Sequence, residues 1–298
     1  MAKIVVTSGK RYIDIDGLAS LVAYTEIPPE KAIAVVAAPL NKSITQTIKK
    51  WPINYVASVQ GEDLEFVIVD VSEFPQFPSF VKKEKIIEIY DHHFGFEKEW
   101  QYLGERARIE PVGACATIIW EEFKKRNPQK KISTLSANLL YTAIYSNTLN
   151  FQASITTERD RRAFEELKPF INLPENWIAK YYQELEVDIY LNPKEAIIND
   201  TKIQTIKGTS CAIGQIELWN SKPFIAENAQ EIETALKSFD TELWFLTSPS
   251  IGEGRNYIFT KSETIKNYLS SVMSITFEGN IGITPKLWLR KEILKLIQ

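Results

Sequence analysis

Short apolar runs alternate with longer stretches of helical periodicity through the first half of this chain. The runs KIVVTS (3–8), AIAVVAA (32–38), EFVIVDVS (65–72) and KIIEIYD (85–91) are rich in Val and Ile and read as buried strands. Between and after them, GLASLVAYTEI (17–27), ACATIIWEEFKKR (114–126) and TLSANLLYTAIYS (134–146) place apolar residues at helical spacing. This rhythm predicts an α/β fold whose mostly parallel sheet is flanked by helices. Beyond residue 155 the pattern changes: TTERDRRAFEELKPFI (156–171) is a charged amphipathic helix opened by a Thr cap, and reads as a connecting helix. Asn-Pro and Asn-Asp turn signals in LNPKEAIINDTK (191–202) place a boundary between an N-terminal domain, 1–185, and a smaller C-terminal α/β domain, 195–298. In the second domain SCAIGQIEL (210–218), TELWFLTS (241–248) and NYIFT (256–260) read as strands, and AENAQEIETALKSF (226–239) as a helix.

Composition narrows the function classes. A length of 298 residues suits two domains, and 44% hydrophobic with 24% charged residues is an ordinary globular balance. A formal charge of -3 leaves no basic field to hold nucleic acid or an anionic membrane, so an anionic ligand has to be met by a local site. The aromatics of ENWIAKYYQELE (175–186) read as helix packing rather than base-stacking platforms. Cys115 and Cys211 show no CxxC spacing, which argues against a zinc ribbon or disulfide framework and fits a reducing cytoplasm. The start, MAKIVVTSGK, has no long apolar run, and no stretch of about 18 apolar residues occurs, so neither export nor membrane spanning is expected.

Ligand sites in open parallel sheets gather where loops leave the C-terminal ends of strands. Asp14 and Asp16 follow the first strand in YIDIDGLAS, Asp70 ends VIVDVSE, and Asp91, His92 and His93 end IIEIYDHH. The two histidines are the only ones in the chain. Carboxylates gathered with few basic neighbours repel one another and call for a divalent cation, and oxygen ligands with one imidazole suit Mn²⁺ or Mg²⁺ better than zinc. A plainer reading stands beside this one: Asp16 before GLAS can cap the next helix, and a single Asp after a strand is often a turn former.

In this order the DID, VDVS and YDHH stations resemble the DHH phosphoesterase superfamily. AIYSNTLNFQASITTERD is similar to the fourth station of family II inorganic pyrophosphatases, and CAIGQIEL, Lys202 in DTKIQ and PKLWLRKEIL resemble elements of their C-terminal domain. The likeness spans nearly the whole chain. It implies an N-terminal DHH domain, a C-terminal substrate-binding domain and an active site in the cleft between them. By resemblance, Asp14, Asp16, Asp70 and His92 would bind Mn²⁺, with Mg²⁺ or Co²⁺ as alternatives. His93 would meet a phosphoryl oxygen or the leaving group, Asp91 would orient an imidazole from behind, and Lys202, Arg290 and Lys291 would bind substrate phosphate. The glycine-rich GGGH type of motif used by oligonucleotide-cleaving members is absent.

Two positions depart from the family. Lys10 stands where these pyrophosphatases begin with a histidine, and Asn147 where the fourth station offers an aspartate. An ammonium has no lone pair to give, and a neutral amide is a poorer ligand for a hard cation than a carboxylate. Lys10 would then occupy charge space left by a missing cation beside the substrate, and a two-metal clamp is in doubt. The sequence therefore predicts a cytoplasmic metal-dependent phosphohydrolase acting on pyrophosphate, short polyphosphate or a small phosphorylated metabolite. The alternative is a degenerate member that binds a phosphorylated ligand or a protein partner without turnover. A homodimer is admitted as an assembly.

Overall fold

A computed structural model describes residues 3–61, 63–93 and 95–297, apart from the side chain of Lys291. The chain divides into two units, Met1–Glu175 and Asn176–Gln298. The first unit runs β1 (Lys3–Thr7), α1 (Ile15–Tyr24), β2 (Ala32–Val35), α2 (Gln46–Lys49), β3 (Leu64–Val69), β4 (Ile86–Asp91), α3 (Glu97–Trp100), β5 (Ala107–Ile109), α4 (Cys115–Arg126), α5 (Thr134–Asn147) and α6 (Glu158–Leu167). Its five strands lie in the order β2-β1-β3-β4-β5, and every pairing is parallel. Successive residues such as Val5 and Val6, or Val67, Ile68 and Val69, are all buried, because both faces of the sheet are covered. One cover is α1, buried over its full length and apolar on most of its surface, with Asp16 and Ser20 as buried polar exceptions.

The charged amphipathic helix forms as its pattern predicts, and it lies within the first unit. In α6 the buried positions Asp160, Ala163, Phe164 and Leu167 follow helical spacing, and Thr157 and Asp160 close a reciprocal capping box.

The second unit runs α7 (Trp177–Leu191), α8 (Pro193–Asn199), β6 (Thr201–Ile206), β7 (Thr209–Gln215), α9 (Ser221–Glu227), α10 (Ala229–Lys237), β8 (Leu243–Ser250), β9 (Arg255–Phe259), α11 (Glu263–Val272), β10 (Thr276–Glu278), β11 (Ile281–Thr284) and α12 (Arg290–Ile297). The sheet order is β10-β11-β9-β8-β7-β6, with β7 and β8 parallel and the other pairs antiparallel. Ala212, Trp244, Leu246, Tyr257 and Phe259 join one core with α9 and α10, while Cys211, Ile213, Phe245 and Ile258 join another with α11 and α12. This period of two places helices on both faces of the sheet.

Two local expectations change. The turn signals of 191–202 belong largely to a helix, because Pro193 opens α8, where its missing N–H costs nothing. The expected helix over 226–239 is two, α9 and α10, broken at Asn228, whose amide donates to the Phe224 carbonyl. Among the described residues no helix is long and apolar enough to cross a membrane.

Candidate metal centre

The strand order of the first unit reverses between β1 and β3, so their outgoing loops separate and leave a crevice. Asp14 stands on one side as the N-cap of α1, where its Oδ1 accepts the Gly17 N–H at 2.9 Å. Asp70 stands on the other, directly after β3, with φ of +60°. This left-handed backbone is unusual for a non-glycine residue and turns the side chain out of the strand register. Gly17 permits the approach: a methyl group there would lie 3.2 Å from Asp70 Oδ2.

Asp16 does not cap its own helix. It lies buried in the first turn of α1 and caps α4 instead, its two oxygens accepting the N–H groups of Cys115 and Ala116, each at 2.8 Å. A third donor, Asn147 Nδ2, reaches the same oxygen as Cys115 at 2.6 Å. Asn147 is the last residue of α5, and Leu149, Asn150 and Phe151 just beyond it all have positive φ, a strained turn. Burial raises the Asp16 carboxyl to about 6, with His92 opposing the shift and Asp14 adding to it. Burial, then Asp14 and Asp16, hold the Asp70 carboxyl well above the usual range.

His92 and His93 lie beyond the end of β4, so strand alternation does not separate them, and their rings are 4.4 Å apart. His92 Nδ1 faces the Val112 carbonyl at 3.2 Å. A carbonyl can only accept, so Nδ1 donates to it and Nε2 is turned toward the carboxylates. Nε2 meets Asp70 Oδ1 at 3.5 Å and Asp16 Oδ2 at 3.7 Å. A ring nitrogen and two carboxylate oxygens thus converge. Asp70 Oδ1 is buried with no hydrogen-bond partner, as is Asp91 Oδ2. Ligand atoms of Asp70, His92 and His93 lie within 4.8 Å of one another. A hard divalent cation fits this donor set.

Asp91 Oδ1 accepts the backbone N–H groups of His92 and His93 and faces His93 Nδ1 at 2.8 Å. The imidazole oriented by Asp91 is therefore that of His93, while the Val112 carbonyl orients His92. The bond to Asp91 raises the His93 pKa.

A cavity of about 320 Å³ opens on this cluster, with Asp14, Asp70, Asp91 and His93 in its wall. Lys10 is exposed and absent from that lining; its neighbour Arg11 is present, with no polar partner among the described residues. No motif marks Arg11, Tyr12 or Phe96, although Arg11 and Tyr12 occupy the same strand-end loop as Asp14. The second unit treats its candidates differently. Lys202 is exposed on β6, and the side chain of Lys291 lies outside the described residues. Arg290 is 7% exposed, and its guanidinium donates to the carbonyls of Asp200 and Ile213 and to the Asp200 carboxylate. It braces the sheet rather than standing free for phosphate. Gln215 Oε1 accepts the Arg290 N–H, so the GQIE and RK segments meet in space.

No protein-family model matches the chain. A protein of Exiguobacterium sp. named as a probable manganese-dependent inorganic pyrophosphatase is 24% identical over 310 aligned positions, covering 97% of this chain and 95% of its own length. A Streptococcus thermophilus protein of the same name is 29% identical over 252 positions, 80% of this chain and 78% of its own. The crystal structure of a Methanococcus jannaschii protein assigned to the family II inorganic pyrophosphatases superposes with a TM-score of 0.61 at 22% identity, covering 98% of this chain and 96% of that one. In sequence along nearly its whole length and in fold, the chain resembles the manganese-dependent, family II inorganic pyrophosphatases of the DHH phosphoesterase superfamily.

Proposed function

We propose that this chain is a metal-dependent phosphohydrolase that cleaves a phosphoanhydride or phosphoester. The observation that carries the reading is the convergence of His92 Nε2 on Asp70 and Asp16 beside an unpartnered, buried Asp70 oxygen. Asp70 and His92 would hold the cation, with Asp14 at the pocket wall and Asp16 behind. The names of the relatives favour Mn²⁺. A divalent cation there supplies Lewis acidity toward a phosphoryl oxygen and acidifies a water molecule. The chain's own groups do the rest. Arg11 offers a fork of donors to phosphate oxygens. His93, its Nδ1 held by Asp91, presents Nε2 to the pocket as a proton donor to the leaving oxygen.

The second reading, a ligand-binding protein without turnover, is favoured by one arrangement. Asn147 places an amide donor where a further carboxylate would serve a second cation, and Lys10 does not line the pocket. Phosphate release from pyrophosphate, tripolyphosphate, a nucleotide and a sugar phosphate, each with Mn²⁺, Mg²⁺ and Co²⁺, decides between them. Metal-dependent release supports the hydrolase; ligand binding by calorimetry with no release in any combination supports the binder.

A further inference from the structure

The pocket has more chemistry in its wall than pyrophosphate requires. Inorganic pyrophosphate is anionic over its whole surface and gains nothing from apolar contact. Here the carboxylate cluster and Arg11 share one cavity with Tyr12, Val71 and Phe96. Tyr12 is 51% exposed and makes no ring contact with another aromatic side chain among the described residues, although burying a tyrosine ring is normally favourable. Phe96 packs one part of its ring on the core beneath the sheet and contributes to the cavity wall as well. At about 320 Å³ the cavity stands at the lower end of the roughly 300–1,000 Å³ range of small-molecule sites. Its wall thus combines charged groups, Arg11 among them, with aromatic ones.

We propose that the pocket takes a phosphate ester with a planar aromatic organic group, such as a nucleoside phosphate, the phosphate lying toward Arg11 and the ring against Tyr12 and Phe96. This rests on the phosphohydrolase reading and specifies its substrate class. In the reaction water and the ester give an alcohol and inorganic phosphate: the water oxygen forms the new bond to phosphorus and the ester P–O bond breaks. The departing oxygen receives a proton from His93 Nε2, and the proton that the water releases returns to His93, so atoms and charge balance. A stacked ring fixes the ester group without reading a particular base, because every base has a π face.

Calorimetry on the full chain tests the proposal, first titrating Mn²⁺ alone, then AMP and ribose 5-phosphate in saturating Mn²⁺. Base–aromatic stacking leads us to expect AMP to bind about tenfold more tightly than ribose 5-phosphate. In Tyr12→Ala the preference should fall severalfold with Mn²⁺ binding unchanged, and Phe96→Leu, which keeps an apolar filler toward the core, should also reduce it. Equal binding of the two ligands by the parent, or a preference undiminished in both variants, overturns the substrate class while the metal reading stands. Absence of Mn²⁺ binding by the parent overturns the metal reading, and this inference with it.

Discussion

The Asn147 amide donates to Asp16 at 2.6 Å, which makes the residue at the fourth acidic station a partner of the carboxylate cluster rather than a member of it. An aspartate at 147 would set carboxylate against carboxylate with no hydrogen between them. In EDTA at pH 7.5, Asn147→Asp should lose about 1–3 kcal/mol of stability, the cost of one buried hydrogen bond replaced by an unsatisfied group. Mn²⁺ should restore it and bind at higher stoichiometry than in the parent. Lys10→His should add no metal, since position 10 lies outside the cavity lining. Melting curves with EDTA and Mn²⁺, together with metal analysis, check all three statements; an Asn147→Asp variant indifferent to Mn²⁺ would show that the amide is not standing in for a ligand.

Stability of the metal-free protein should fall as pH rises from 5 to 7. Asp16 is raised by burial to about 6 and Asp70 well above its ordinary value, so each favours folding most when protonated and loses that contribution as pH climbs through its folded-state pKa. His93, raised by its bond to Asp91, acts in the same direction, its contribution present in acid and lost as it deprotonates. The oppositely shifted carboxylates Glu110, Glu121, Glu166 and Glu233 lie below 4.5 and stay charged across this window. Saturating Mn²⁺ should flatten or reverse the trend, because metal binding displaces protons. Thermal melts at pH 5, 6 and 7 with EDTA and with Mn²⁺ measure it; a metal-free melting temperature that rises over this range would contradict the assignment.

Much of the cluster was legible because strand-end position and residue type are sequence properties. Asp14, Asp70, Asp91, His92 and His93 line or adjoin one crevice because a parallel sheet sends its loops out at one end. What the sequence could not show is how lone pairs are distributed. Asp14 and Asp16 are indistinguishable as letters in DID, but helix α1 starts at Ile15, so Asp14 caps it while Asp16 turns inward to α4, about a hundred residues away. The same holds for Arg290, which the resemblance places at phosphate but whose N–H groups donate to oxygens of Asp200 and Ile213. Arg11 and Tyr12 carried no motif, and only the fold places them in the pocket wall.

Asp70→Asn should separate function from stability. The amide keeps the size and the tolerance of left-handed backbone but removes a buried charge that Asp14 and Asp16 oppose. Mn²⁺ binding should weaken by at least about a hundredfold, while the melting temperature in EDTA at pH 7.5 rises above that of the parent. Lower metal-free stability in Asp70→Asn would mean that Asp70 is held by a partner rather than waiting for a cation.

The two cations of the second unit should behave unlike each other. Arg290→Ala strands the Asp200 carboxylate and two carbonyls, and should cost about 2–3 kcal/mol. Exposed Lys202→Ala should stay within about 0.5 kcal/mol. Urea denaturation gives both values. Equal, small effects would show that Arg290 braces nothing and would return it to the list of free phosphate ligands.

The last prediction concerns a chain of contacts behind His92. Asp160 Oδ2 accepts the Gly113 N–H at 2.8 Å, and its Oδ1 accepts the Thr117 hydroxyl, which fixes the loop between β5 and α4. Val112, the residue before Gly113, offers the carbonyl that faces His92 Nδ1. Orientation of the metal-facing Nε2 therefore depends on a carboxylate in another helix. Gly113 has no room for a side chain: a methyl group would stand 2.5 Å from Thr148 and 2.9 Å from Asp160 Oδ2. Gly113→Ala must push the loop aside, at about 1–3 kcal/mol for overpacking, and carry the Val112 carbonyl away from His92. Outer contacts of this kind typically govern about 10–100-fold in metal affinity, so Mn²⁺ should bind at least about tenfold more weakly. Asp160→Asn, which replaces an acceptor by a donor facing N–H and O–H groups, should weaken Mn²⁺ similarly without adding bulk. Calorimetric Mn²⁺ titrations on variants whose circular dichroism matches the parent test the chain; if both lose stability and keep full metal affinity, Asp160 supports only the loop and His92 is oriented by something else.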